Sequence, residues 1–226
     1  MYVNELFFSI QGEGKLASVP SVFIRISGCP LRCRWCDTRY AWDDKAGEDM
    51  DLEQIVSQAS GFDTDFLVIT GGEPMANPHL PMLLTALARQ NKHITVETAG
   101  LAFIPDLPVD LMSISPKLSN SLPNDPALAA AHNASRLNIK AIKQLTAAYP
   151  YQLKFVVEDE SDMAEIDEIV AHVPKLRAEN ILLMPQASTQ EALAAKSAKI
   201  AKLAVSRGFG FSPRLHILLW GNQKGK

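Results

Sequence analysis

The chain has 226 residues, 47% of them hydrophobic, with 22 Lys and Arg against 25 Asp and Glu for a net charge of −3. That length suits one domain, residues 1–226, large enough to bury a core without disulfide staples. No apolar run reaches the roughly 18 residues of a membrane span, and the basic residues are too scattered to grip nucleic acid.

Met1–Glu5 carries neither the basic nor the apolar part of a secretion signal. The expectation is therefore a cytoplasmic protein acting on a small molecule, with no membrane and no direct nucleic-acid partner.

In chain order, short apolar runs alternate with longer helical patterns. Strands are predicted at Val22–Ser27, Phe66–Thr70, Ile94–Glu97, Leu111–Ile114, Leu153–Val157, Ile181–Met184 and Leu215–Trp220. Most are near-continuous apolar runs, as strands covered on both faces should be. Helices are predicted at Leu52–Ser60, Leu80–Asn91, Asn133–Ala147, Met163–Val173 and Gln190–Arg207. Asp43–Asp51 and Asp106–Asn133 read as loops, and Gly221–Lys226 as a frayed end. Alternation of this kind implies an α/β fold, parallel strands joined by right-handed crossovers. With this many units the sheet should curl into a full or partial (β/α) barrel with helices outside.

Loops at the C-terminal ends of barrel strands build active sites. Five predicted strand ends carry unusual residues: Cys29, Gly71-Gly72-Glu73-Pro74, Thr98-Ala99-Gly100, Ser115-Pro116-Lys117 and Pro185-Gln186. The three cysteines all lie within eight residues, spaced C-x3-C-x2-C at Cys29, Cys33 and Cys36. An odd count argues against disulfides and for metal binding or catalysis. Thiolates at this spacing can each hold one iron of a cubane and leave the fourth iron open. The alternative is structural zinc, which wants four ligands. Its fourth would have to be distant, such as His79, His93 or His216.

With Trp35 before the last cysteine and Gly71–Pro74 after the following strand, the chain resembles the radical S-adenosylmethionine (SAM) superfamily. Within it, the narrower resemblance is to the 7-carboxy-7-deazaguanine synthases. The residues that carry it are Phe8–Gly14, Val22–Arg25, Cys36-Asp37-Thr38, Thr70, Glu97–Gly100 and Ser115–Lys117. The second half matches more loosely, chiefly at Gln186 and His216.

This resemblance implies a 4Fe–4S cluster on the three cysteines, SAM at Gly72, Glu73, Ser115, Pro116, Lys117 and Gln186, and Mg2+ at Thr38. It implies substrate contacts at Ile10, Gln11, Gly12, Arg25, Thr70 and His216. The implied reaction is a SAM- and Mg-dependent ring contraction with ammonia loss. It turns 6-carboxy-5,6,7,8-tetrahydropterin into 7-carboxy-7-deazaguanine on the way to queuosine. A flavodoxin or ferredoxin as electron donor and a homodimer are further expectations of this resemblance. A glycyl-radical activating enzyme would share cluster and SAM but act on a protein partner.

Read from the residues alone, Val22, Ile24 and Ile26 share one parity of their strand and Phe23 and Arg25 the other. Arg25 then points into the barrel and needs an acceptor. A substrate carboxylate would serve, as would Glu5, Glu13 or Glu97. The glycines of Gln11–Gly14 would let backbone approach a planar ligand. Thr38 could bond its own backbone, Lys117 could face solvent and His216 could be a core histidine. Lys154 interrupts an apolar strand and receives no role.

Overall fold

In the computed structural model, which describes residues 1–226, β1 (Tyr2–Ile10) and β2 (Pro20–Ile26) form an antiparallel hairpin at one side of a sheet. β3 (Glu48–Asp49) pairs with the start of β1. β4 (Phe66–Gly71), β5 (His93–Thr98), β6 (Leu111–Ile114), β7 (Tyr151–Val157), β8 (Ile181–Pro185) and β9 (Gly210–Phe211) follow β2, each parallel to its neighbour. The order β3-β1-β2-β4-β5-β6-β7-β8-β9 is linear and the two ends do not pair. The barrel is therefore partial.

The helices are α1 (Leu52–Ser60), α2 (Leu80–Ala88), α3 (Pro126–Ser135), α4 (Ile139–Ala148), α5 (Met163–His172), α6 (Gln190–Ser206) and α7 (Leu215–Trp220). None is long and apolar enough to cross a membrane. Local chemistry sets several starts: Asp51 forms a capping box with Gln54 at α1, and Asp125 caps α3 ahead of Pro126.

Strand parity divides the sheet's two faces chemically. Ile24 and Ile26 on β2, Leu67 and Ile69 on β4, Ile94 and Val96 on β5, and Leu153 and Phe155 on β7 join one buried cluster. Ile55 of α1, Leu83 and Leu87 of α2, and Ile142 of α4 belong to the same cluster. The opposite parity brings Arg25, Thr70, Glu97, Ser113, Lys154 and Met184 to one pocket. Those residues come from β2, β4, β5, β6, β7 and β8, so the sheet curls around that pocket.

Four predicted elements differ, one being the loop predicted at Asp43–Asp51, which contains the two-residue β3 because Glu48 and Asp49 pair with Val3 and Tyr2. Leu215–Trp220 is a helix, not the last strand; the seventh parallel strand is the two-residue β9, which ends just before it. A six-residue apolar run has no periodicity that separates the two states. In α7 only Ile217 is fully buried, while Leu218 and Leu219 are about half exposed. The helix predicted at Asn133–Ala147 is two helices, because the Asn138 side chain caps α4 by accepting from Ala141 N–H. The loop predicted at Asp106–Asn133 accordingly contains most of α3. β1 is a strand the sequence pattern does not predict, and only its last residues, Phe8–Ile10, fall in the motif that carries the family resemblance.

Candidate active site

The loop after β2 carries the cysteines to the mouth of the pocket, where Cys29, Cys33 and Cys36 all contribute to its wall. Backbone bonds anchor the loop at its root: Cys29 N–H donates to Trp42 O at 3.2 Å and Gly28 N–H to Ala41 O at 3.0 Å. The loop after β4 lies against it, with Glu73 N–H donating to Gly28 O at 2.8 Å. A Cβ on Gly72 would lie 2.1 Å from that same carbonyl oxygen, so glycine there permits the close approach. Apolar Leu31, Trp35, Ala99 and Leu101 pack around the thiols. Burial pushes the Cys29 thiol up to about 11 and the Cys33 thiol up to about 12.

Glu73 is fully buried, and burial raises its pKa. Its two oxygens accept from Thr98 Oγ1 (2.5 Å), Met75 N–H (3.0 Å) and Ala99 N–H (2.7 Å), tying the loops after β4 and β5 together. Gly72, Ser115 and Gln186 also line the pocket, but Pro116, grouped with them in the sequence, is buried elsewhere and is not part of its wall. Lys117 does not face solvent. Its ammonium donates to Ser115 O (2.8 Å) and Oγ (2.9 Å) and lies 5.8 Å from the Trp35 ring centre.

Ile10, Gln11, Gly12, Arg25, Thr70 and His216 line the same pocket as the cysteines. Arg25 Nε donates to Glu5 Oε2 at 2.7 Å, one of the internal partners left open by the sequence. No protein acceptor meets its terminal nitrogens. Gln11 Nε2 (3.3 Å) and Thr70 Oγ1 (2.9 Å) both donate to the Glu97 carboxylate. Gly12 makes room for protein: a Cβ there would lie 2.1 Å from His216 Nδ1. His216, on α7, stands 3.9 Å from Glu13, and burial lowers its pKa, leaving the ring neutral at pH 7. The Thr38 hydroxyl lies 3.6 Å from Cys36 Sγ and has no backbone partner.

The pocket also has a charged floor that the sequence motifs do not announce. Lys154 is buried, paired with Glu13 and 3.7 Å from Glu97. Buried Arg214, just before α7, pairs with Glu13 and with Asp37 beside the last cysteine, and also donates to Ala187 O. These cations outweigh the cost of burial and hold the Glu13 carboxyl far below the usual carboxylate range. Lys154 is detectable as a lysine at an apolar strand's centre, whereas Arg214 precedes the apolar run Leu215–Trp220 and carries no such signal.

A family model described as the radical SAM superfamily matches residues 23–145. A protein named 7-carboxy-7-deazaguanine synthase from Halobacterium salinarum is 40% identical over 97% of this chain and 90% of its own length. Its namesake from Rhodopirellula baltica is 38% identical over 100% and 88%. The crystal structure of QueE from Escherichia coli superposes with a TM-score of 0.70 at 26% identity, covering 93% of this chain and 92% of that one.

The chain belongs to the 7-carboxy-7-deazaguanine synthase family of radical SAM enzymes.

Membership carries with it a 4Fe–4S cluster, SAM and Mg2+. The donors fit the first of these. Three thiols share one pocket edge, while no trio of His, Cys, Asp or Glu side chains is arranged to hold a single metal ion. That is the donor set of a cluster, not of a closed zinc site. The relatives likewise favour this family over a glycyl-radical activating enzyme or a zinc-stabilised binding module.

Proposed function

We propose that this pocket binds 6-carboxy-5,6,7,8-tetrahydropterin beside SAM and converts it to 7-carboxy-7-deazaguanine. The observation that carries this reading is the shared pocket itself. Thiols stand at its mouth, a guanidinium with free terminal nitrogens lines its wall, and a hydrogen-bonded carboxylate faces the same space. When bound, a cluster on Cys29, Cys33 and Cys36 supplies the electron that splits SAM into methionine and a 5′-deoxyadenosyl radical.

The residues around that chemistry bind and orient. Arg25 offers its terminal nitrogens to the substrate carboxylate as a planar fork, while Glu5 holds Nε and fixes the plane. Glu97, Gln11 and Thr70 supply acceptors and donors for the heterocycle's edge. Gly72, Glu73, Ser115, Lys117 and Gln186 form the SAM side of the pocket, and Thr38 offers one hydroxyl to a magnesium ion that keeps waters and substrate oxygens as its other ligands. His216, neutral and beside Glu13, closes the substrate side.

We place the enzyme in the cytoplasm, as one domain in a homodimer. Three free cysteines suit a reducing compartment, where a flavodoxin or ferredoxin can reduce the cluster. The test is anaerobic reconstitution with iron and sulfide, incubation with SAM, reductant, Mg2+ and the carboxytetrahydropterin, and mass analysis of products. Formation of 7-carboxy-7-deazaguanine supports the reading. Protein that takes up iron and sulfide but yields no deazapurine refutes it.

A further inference from the structure

Outside the pocket, α3 carries a histidine that the proposed chemistry does not use. His132 is 2% exposed, and both ring nitrogens are engaged. Nδ1 accepts the backbone N–H of Arg32 at 3.0 Å. Nε2 meets Ser121 Oγ at 2.9 Å, and that hydroxyl donates to Leu118 O at 2.6 Å. With its proton directed at Leu118, the Ser121 oxygen is left as an acceptor. Nε2 therefore carries the ring proton and Nδ1 the lone pair, as the Arg32 N–H requires.

Arg32 lies between Cys29 and Cys33. Its N–H is the one backbone donor of the cysteine loop that a side chain satisfies from another element. The neighbouring attachments each include a main-chain carbonyl: Arg34 N–H to Ser121 O at 2.9 Å, Arg34 Nε to Asn120 O at 2.7 Å, and Trp35 Nε1 to Asn120 O at 3.1 Å, with Asn120 Oδ1 and the Glu158 carboxylate as additional side-chain acceptors. Those carbonyls survive any side-chain substitution, whereas the His132 acceptor does not. The strap that begins at Ser115 and Lys117 and ends in α3 thus grips the cysteine loop at Arg32, Arg34 and Trp35.

We propose that His132 is a positioning residue for the cluster, holding the Cys29–Cys33 turn in its ligating shape through Nδ1. This rests on the reading of Cys29, Cys33 and Cys36 as cluster ligands. Removing the acceptor strands a part-buried N–H inside that turn, and the loop then relaxes away from the geometry three thiols must share.

The experiment compares the parent chain with His132→Ala, His132→Asn and His132→Gln after anaerobic reconstitution. An asparagine amide oxygen reaches the place of Nδ1, whereas a glutamine amide reaches that of Nε2 and leaves Arg32 N–H unmet. The readouts are iron and sulfide per chain, the rate of iron release to a chelator, and the electron paramagnetic resonance spectrum of the reduced protein with and without SAM. Circular dichroism monitors the fold.

His132→Ala and His132→Gln should release iron about tenfold faster, as expected for one stranded part-buried donor, with a broadened spectrum in the presence of SAM. His132→Asn should stay close to the parent. Parent-like release and spectra in the Ala and Gln variants overturn the proposal, as does an Asn variant no better than Gln. If the alanine variant does not fold, the Asn and Gln pair decides alone. A parent chain that takes up no cluster refutes the ligand reading itself, a result distinct from failure of the His132 role.

Discussion

Lys154 on β7 and Glu13 in the loop after β1 form an ion pair across the inside of the sheet, buried beneath the pocket. Glu97 lies on the other side of the same ammonium at 3.7 Å, and Arg214 meets Glu13 at 3.2 Å. Two carboxylates and two cations therefore share a space from which water is largely excluded, and each charge depends on the others.

Removing Lys154 leaves two carboxylates, Glu13 and Glu97, facing one another's charge with Arg214 as the remaining cation on Glu13. Lys154→Met should destabilise the protein by about 3–5 kcal/mol, the usual cost of breaking a buried pair. Adding Glu13→Gln to that variant should recover part of the loss, because the stranded charge is gone. Urea unfolding of the two variants and the parent measures both effects. Equal stability of the Lys154→Met variant and the parent would show that the network is not energetically coupled.

The same network fixes the direction of the pH dependence. Glu13 has a folded pKa well below its unfolded value, so its contribution is present above about pH 4.5. That contribution is lost as pH falls and the buried carboxylate must be protonated. His216 acts in the same direction. Its folded pKa is lowered from 6.5, so folding favours the neutral ring and loses stability as pH drops below that value. The melting temperature of the parent should fall steadily from pH 7 to pH 4. Glu13→Gln should melt lower at pH 7 and show a flatter profile below pH 5. A parent curve flat over that range contradicts the assignment.

Strand parity made much of this site legible. Arg25 points inward because Val22, Ile24 and Ile26 take the helix-facing side of β2, and the same count identifies Lys154 as an inward lysine. The cysteine loop and the glycines after β4 could be located because their spacing is set by ligand geometry and by close backbone approach. Arg214 and α7 were illegible for a different reason. The run Leu215–Trp220 fits strand and helix equally in its local pattern, and only packing of Ile217 beside Ala187 and Leu193 selects the helix. A contact 201 residues away in sequence, Arg214 to Glu13, leaves no periodic trace in either segment.

Arg25 provides a direct test of the proposed substrate contact. A charge-assisted bond is worth about 1.5–3 kcal/mol, so Arg25→Ala should raise KM for the carboxytetrahydropterin roughly 10- to 150-fold. Arg25→Lys keeps the charge and loses the planar fork, so it should recover only part of that affinity. Initial rates at varied substrate check this, with substrate-independent SAM cleavage as the control for an intact cluster. A KM unchanged in both variants would reduce Arg25 to an internal partner of Glu5.

Gly12 separates protein packing from ligand approach. Both the open-loop reading and the observed contact call for glycine, but they predict different rescues. If the missing side chain served only to admit a planar ligand, Gly12→Ala would weaken substrate binding and leave the fold unchanged. In the structure a Cβ at that position meets His216 Nδ1 at 2.1 Å and the His216 backbone nitrogen at 3.1 Å. Gly12→Ala should therefore push α7 outward and destabilise the apoprotein by about 1–3 kcal/mol, the usual cost of overpacking. Shortening the other side, in the double variant Gly12→Ala/His216→Ala, should return most of that stability, because the closest clash is with the ring. Thermal melts of the two single variants and the double variant decide the matter without any ligand present. A Gly12→Ala protein that melts with the parent would move the glycine's purpose back to the ligand.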